Sequence, residues 1–135
     1  NYDSGAAATA LPIEMAEGLD THQVGEFIVA SGEAIPNFGR VRLQTEDECR
    51  KMSGSITEVH KPLGSAGEIS GSHDAYIWGN GGVLAPKHGA IAVGMRKEYN
   101  RLAALHGERE TLPLYKEGNL FNFYLRLRSL YLFQV

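Results

Sequence analysis

The residues best suited to chemistry stand at the front of the chain, in Asp3-Ser4-Gly5-Ala6. An Asp followed by a hydroxyl residue and two small residues makes a tight, backbone-rich turn. The small residues let the main chain come close, and the Ser4 hydroxyl can bond the Asp or the next backbone groups. One such carboxylate is a poor hydrolytic catalyst alone. Two that share a proton and a water can do acid–base work, because like charges held that close cannot both ionise. The ionised member takes a proton from the water as it attacks a carbonyl, the protonated member polarises that carbonyl, and the pair titrates as a unit. The chain has no second Asp-Ser/Thr-Gly: Asp20-Thr21 runs into His22, and Asp74 lies in Ser72-His73-Asp74-Ala75. A matching carboxylate would come from a second copy, which implies a twofold dimer.

Other constellations are weaker. His22, His60, His73, His88 and His106 lack the His-x-x-x-His or Cys-x-x-Cys spacing of a metal site, so no metal and no cofactor are expected. Ser72-His73-Asp74 contains triad residue types, but sequence neighbours rarely converge as a triad does. His106-Gly107-Glu108 reads as a helix-end histidine beside a solvated Glu. Gly79-Asn80-Gly81-Gly82 has no Lys-Ser/Thr after it and opens no helix, which argues against a phosphate loop.

The elements that must position these residues read mainly as strands. Pro12 starts a short helical turn ended by Gly18. Phe27-Ile28-Val29 reads as a short buried strand, and Arg40 to Gln44 as one that turns Val41 and Leu43 inward. Between them, Gly32 to Gly39 reads as a hairpin-like excursion with Pro36 on an edge. Thr45 to Lys51 reads as an exposed loop, Ser53 to Val59 as a weaker strand, and Ser65 to Ile69 as one short helical turn. Ala75 to Trp78 and Val83-Leu84 flank an Asn-Gly turn of type I′. Met95 to Leu105 predicts a helix whose stripe Met95, Tyr99, Leu102 and Leu105 packs on a sheet, with Gly94 before it and Gly107 as its cap. Pro113 to Lys116, a turn at Glu117-Gly118-Asn119, and a long alternating strand from Leu120 close the chain. That alternation slips near Ser129, which predicts a bulge or a new partner for Leu130 to Phe133.

Length and composition bound the reading. At 135 residues one domain spanning 1–135 is expected. A net charge of -3 with scattered Lys and Arg argues against a nucleic-acid surface. The single cysteine, Cys49, cannot form an internal disulfide, and no apolar run approaches the ~20 residues needed to span a bilayer. The expectation is a soluble, intracellular domain without a membrane span.

Three stretches, in order, resemble the retropepsin-like aspartic protease domains of retrotransposon and retroviral polyproteins. Asp3-Ser4-Gly5-Ala6 with its Ala/Thr/Leu run resembles the catalytic loop. Phe27 to Leu43, with Ser31-Gly32 and Ile35-Pro36-Asn37-Phe38-Gly39-Arg40-Val41, resembles the flap hairpin. Ile56 to Ile69, with Pro62-Leu63-Gly64, resembles the segment that follows the flap and feeds a short helix. The match covers roughly the first half of the chain. It implies an all-β fold, a small closed barrel of the acid-protease type with one packed helix. It implies an aspartic endopeptidase acting on extended segments of a polyprotein, with one Asp per chain and therefore a homodimer. Asp3, Ser4 and Gly5 would be catalytic, Ala6, Ser31 and Gly32 would contact the polypeptide substrate, and the terminal strand would interleave across the dimer. Two departures stand out. Only Asn1 and Tyr2 precede Asp3, where the family has an apolar strand, and Pro62-Leu63-Gly64 only approximates the family's apolar-apolar-Gly. They motivate the alternative expectation, a catalytically inactive retropepsin-like domain serving as a structural subunit of a larger assembly.

Overall fold

The structure, a computed structural model, describes residues 1–107 and 109–129. Successive side chains on a strand point to opposite faces, and the alternation from Arg40 to Gln44 places Val41 and Leu43 against the core. They belong to strand β4 (Ala34–Gln44), which pairs antiparallel with β5 (Lys51–Thr57) on one side and β3 (Gly25–Ile28) on the other. β2 (Ala10–Pro12) runs parallel to β5 and completes a four-stranded sheet of order β2-β5-β4-β3. Leu11 of β2 and Ile56 of β5 stand in register, both 0 % exposed. With Ala16 of a 3-10 helix (Ile13–Ala16) they form a small core on which Phe38, Val41 and Leu43 pack. Withdrawing each of the two large side chains from water stabilises the fold by about 1.5–3 kcal/mol.

The chain is strand-rich with one long helix, but the expected closed barrel is not formed among the described residues. The remaining strands make three separate two-stranded sheets. β1 (Tyr2–Asp3) pairs parallel with β6 (Gly64–Ser65), which leads into a four-residue helix, α1 (Ala66–Ile69), at the predicted position. β7 (His73–Trp78) and β8 (Gly81–Pro86) form one hairpin. β9 (Tyr115–Glu117) and β10 (Leu120–Asn122) form another. Closure needs a ladder continuous around the ring, and these hairpins pair only within themselves.

Two further strand expectations change. β3 is an edge strand rather than a buried one, and Ile28 is 71 % exposed. β4, which carries Pro36, is central rather than at an edge; Pro36 is tolerated because pairing with β5 reaches only Asn37↔Thr57 on that side. There the Thr57 hydroxyl donates to the Pro36 carbonyl at 2.6 Å.

Past residue 72 most of the described residues are exposed. The helix α2 (Ala90–His106) starts earlier than predicted and takes Gly94 into its interior, while Gly107 ends it at φ 79 as expected, its N–H bonded to the Ala103 carbonyl. Its stripe is not packed on a sheet: Met95, Tyr99, Leu102 and Leu105 are all exposed, and Ala92 is the helix's one buried residue. The β7–β8 turn runs through Gly79 and Asn80, neither at positive φ, so it is not type I′. Strand character ends at Asn122, and residues 123–129 are exposed coil rather than the long predicted strand. The predicted partner for Leu130 to Phe133 lies outside the described residues.

Candidate active site

Asp3 sits at the end of β1 and opens a loop, residues 4–9, that closes at β2. Its Oδ1 accepts the Gly5 N–H at 2.8 Å, an Asx-type turn of the kind short polar side chains favour. The Gly5 amide, not the Ser4 hydroxyl, is therefore the group bonded to the carboxylate. Both arms of the loop lie against the Pro62–Ser65 segment. On the near side, Asn1 N donates to the Pro62 carbonyl at 2.8 Å and the Gly64 N–H donates to the Asn1 carbonyl at 2.6 Å. On the far side, Ala10 and Leu63 exchange both backbone hydrogen bonds, at 2.9 and 2.8 Å.

Ser65 fastens the middle of the loop. Its hydroxyl donates to the Ala6 carbonyl at 2.6 Å, and its N–H donates to the Thr9 hydroxyl at 3.0 Å. The same hydroxyl accepts the Glu68 N–H at 3.2 Å, so Ser65 also caps α1, the role that serine takes best at a helix start. Thr9 and Ser65 are both buried, and a buried polar pair of this kind is stable only because each member is satisfied. The Thr9 carbonyl accepts from the Ser55 N–H at 2.9 Å, which ties the loop to β5.

The C-terminal hairpin reaches the same loop. The Asn119 side-chain amide, in the β9–β10 turn, donates to the Ala7 carbonyl at 2.9 Å. The approach depends on Gly67 of α1, where an added Cβ would lie 2.0 Å from the Asn119 carbonyl oxygen. Sequence reasoning placed a turn at Asn119 but no contact with Asp3, since 112 residues separate it from Ala7.

Asp3, Ser4, Gly5 and Ala6 are thus together in one loop, while Ser31 and Gly32 are elsewhere, at the exposed tip of the β3–β4 hairpin. That tip is closed by bonds from Val29 N–H to the Glu33 carbonyl, 3.0 Å, and from Gly32 N–H to the Val29 carbonyl, 2.9 Å. Gly32 takes φ 86 there, a left-handed conformation that glycine adopts without strain. No hydrogen bond joins the tip to the Asp3 loop among the described residues.

Beside the loop lies an open cleft of ≈ 960 Å³ lined by Tyr2, Ser4, Asp74, Tyr76, Arg96 and Phe121, among others. Arg96 of α2 is paired with Asp74 and donates to the Lys87 carbonyl at 2.8 Å, which holds the helix to the β7–β8 hairpin. The Tyr76 hydroxyl is 3.1 Å from the Asp74 carboxylate, and desolvation, with that carboxylate's help, pushes the phenol above its ordinary value. Asp74 is engaged by Arg96 and Tyr76. Ser72 Oγ and His73 Nδ1, 2.8 Å apart, therefore form no three-membered relay with it. The described residues contain no group of three or more His, Cys, Asp or Glu able to hold a metal ion. Among them no helix is long and apolar enough to cross a membrane.

Comparison with known proteins returns no matching family model, no matching curated protein and no matching solved structure.

Proposed function

We propose that this chain is one half of an aspartic endopeptidase of the retropepsin-like type, in which Asp3 works with Asp3 of a second copy. The observation that supports the reading is the Asp3 loop itself. A carboxylate in a tight turn, bonded by the Gly5 amide, is held on both arms by the Pro62–Ser65 segment. Catalytic groups need placement within a fraction of an ångström, and that comes from hydrogen bonds behind them.

The chemistry follows from two such carboxyls around one water. The ionised one takes a proton from the water while the water oxygen bonds to the peptide carbonyl carbon. The other gives its proton to the carbonyl oxygen, which produces a neutral gem-diol. The carboxyl that took the water's proton then gives it to the peptide nitrogen, and the other carboxylate takes a proton from a gem-diol hydroxyl as the C–N bond breaks, leaving a carboxylic acid, an amine and the pair as it began. The glycine-tipped hairpin at Ser31-Gly32 would close over an extended polypeptide and exclude water.

The second reading, a retropepsin-like subunit without catalysis, rests on the second half of the chain. There α2 and the hairpins leave Ile77, Trp78, Met95, Tyr99 and Leu105 exposed, a surface suited to assembly. The two readings separate in one experiment. A peptide library is incubated between about pH 4 and 7 with the chain, with Asp3→Asn, and with a pepstatin-type inhibitor, and mass is measured by light scattering. Cleavage by a dimer, abolished by Asp3→Asn and by the inhibitor, supports the protease. An assembled chain that cleaves nothing supports the subunit.

A further inference from the structure

Ser65 stands across the parallel β1–β6 pair from Asp3, and among the described residues it is the one that meets the carboxylate loop at its start, middle and end. At the start it is Asp3's register partner. In the middle its hydroxyl holds the Ala6 carbonyl at 2.6 Å, and at the end its N–H holds the Thr9 hydroxyl at 3.0 Å. The Gly5 amide that bonds the Asp3 carboxylate lies between the first two of these anchors. With β1 fixed by its pairing and Ala6 fixed by the hydroxyl, the direction of the Gly5 N–H is no longer free. Ser65 is 0 % exposed, so water cannot replace the hydroxyl if it is removed.

We infer that Ser65 is the positioning residue of the Asp3 site. Its hydroxyl, by pinning the Ala6 carbonyl, holds the Gly5 amide against the Asp3 carboxylate; the catalytic consequence rests on the aspartic-endopeptidase reading above. The competing role, capping α1 through the Glu68 N–H, is served by the same oxygen and must be separated by experiment.

The full chain is compared with Ser65→Ala, Ser65→Thr and, as a control that removes a hydroxyl from the other end of α1, Ser70→Ala. The first readout is the Gly5 amide proton shift followed by NMR from acid to neutral pH. A charge-assisted N–H···O⁻ bond makes that shift respond when the carboxylate titrates. Ser65→Ala should cut the amplitude of the response to less than about half, with Ser65→Thr and Ser70→Ala keeping it. An unchanged amplitude in Ser65→Ala overturns the inference, and an equal loss in Ser70→Ala assigns the effect to α1 instead. The second readout is peptide cleavage. Ser65→Ala should lower kcat by at least about tenfold with KM within about twofold, and an effect on KM alone also overturns the positioning role. Absence of Asp3-dependent cleavage in the unmodified chain defeats the enzyme reading, while the Gly5 amplitude still decides whether Ser65 holds the loop.

Discussion

The two halves of the chain spend their apolar residues differently. Before residue 72, Leu11 and Ile56 are completely buried, and the polar side chains closed in with them, Thr9, Thr57 and Ser65, all have partners. After it, the only buried apolar residues among those described are Ala85 and Ala92, while Ile77 is 73 % and Leu127 85 % exposed. The difference follows from how the strands are connected. β2, β5 and β4 lie side by side and enclose a common layer. The later hairpins and α2 are tied to their neighbours by polar contacts such as Arg96 with Asp74 and Asn119 with the Ala7 carbonyl. Among the described residues, burial is concentrated in the β2-β5-β4 layer beside the Asp3 loop and thins beyond residue 72.

The sharpest way to break that contrast is to cut the same size of side chain from each half. Ile56→Ala should cost about 2–5 kcal/mol, whereas Leu102→Ala on the exposed stripe of α2 should change stability by less than about 0.5 kcal/mol. Urea unfolding of both variants checks the pair, and equal losses would erase the distinction. Gly67→Ala comes next. The new methyl would meet the Asn119 backbone, so the β9–β10 hairpin should leave the loop at a cost of about 1–3 kcal/mol. Loss of NMR contacts between Asn119 and Ala7, with the β4–β5 contacts intact, is the expected sign. Gly94→Ala should act in the opposite direction. A Cβ there meets nothing within 4 Å, and alanine in a helix interior should stabilise α2 by about 0.5–1 kcal/mol. A lowered thermal midpoint would mean that the face is covered after all.

The smallest effect should come from acid. The Thr45 hydroxyl, then the Cys49 amide, hold the Asp47 carboxyl below its ordinary value. A folded-state value depressed in this way contributes stability above the unfolded value and loses it as pH falls through the folded one. Asp47→Asn should therefore lower the thermal midpoint slightly at neutral pH, with the difference shrinking below about pH 4. A difference that persists unchanged in acid would remove the Thr45–Asp47 bond from the account of this turn.

Where burial follows a strict period, the sequence was readable: Val41 and Leu43 face the core, and Ser65 starts α1. The Asp3 turn was legible for the same local reason, since Asp followed by small residues bends the backbone toward its own carboxylate. The stripe on α2 misled because periodicity gives the direction of a face and not what covers it. The barrel misled because closure depends on pairing between distant strands, which no window of residues records. Ser65 and Asn119 escaped as partners of the loop because a serine and a turn asparagine look alike wherever they stand. Their value comes from residues 59 and 112 positions away.

Those separations set a timetable. The β4–β5 hairpin can form from a local stretch of chain, but the Asp3 loop needs hydrogen-bond partners 56 to 112 residues further on, and parallel pairings that require the whole intervening chain. Non-local closures of this kind come late and slow folding. On a chain made in the N-to-C direction, Asp3 emerges well before the residues that complete its loop. The carboxylate therefore acquires its setting only after Ser65, and then Asn119, have followed it out.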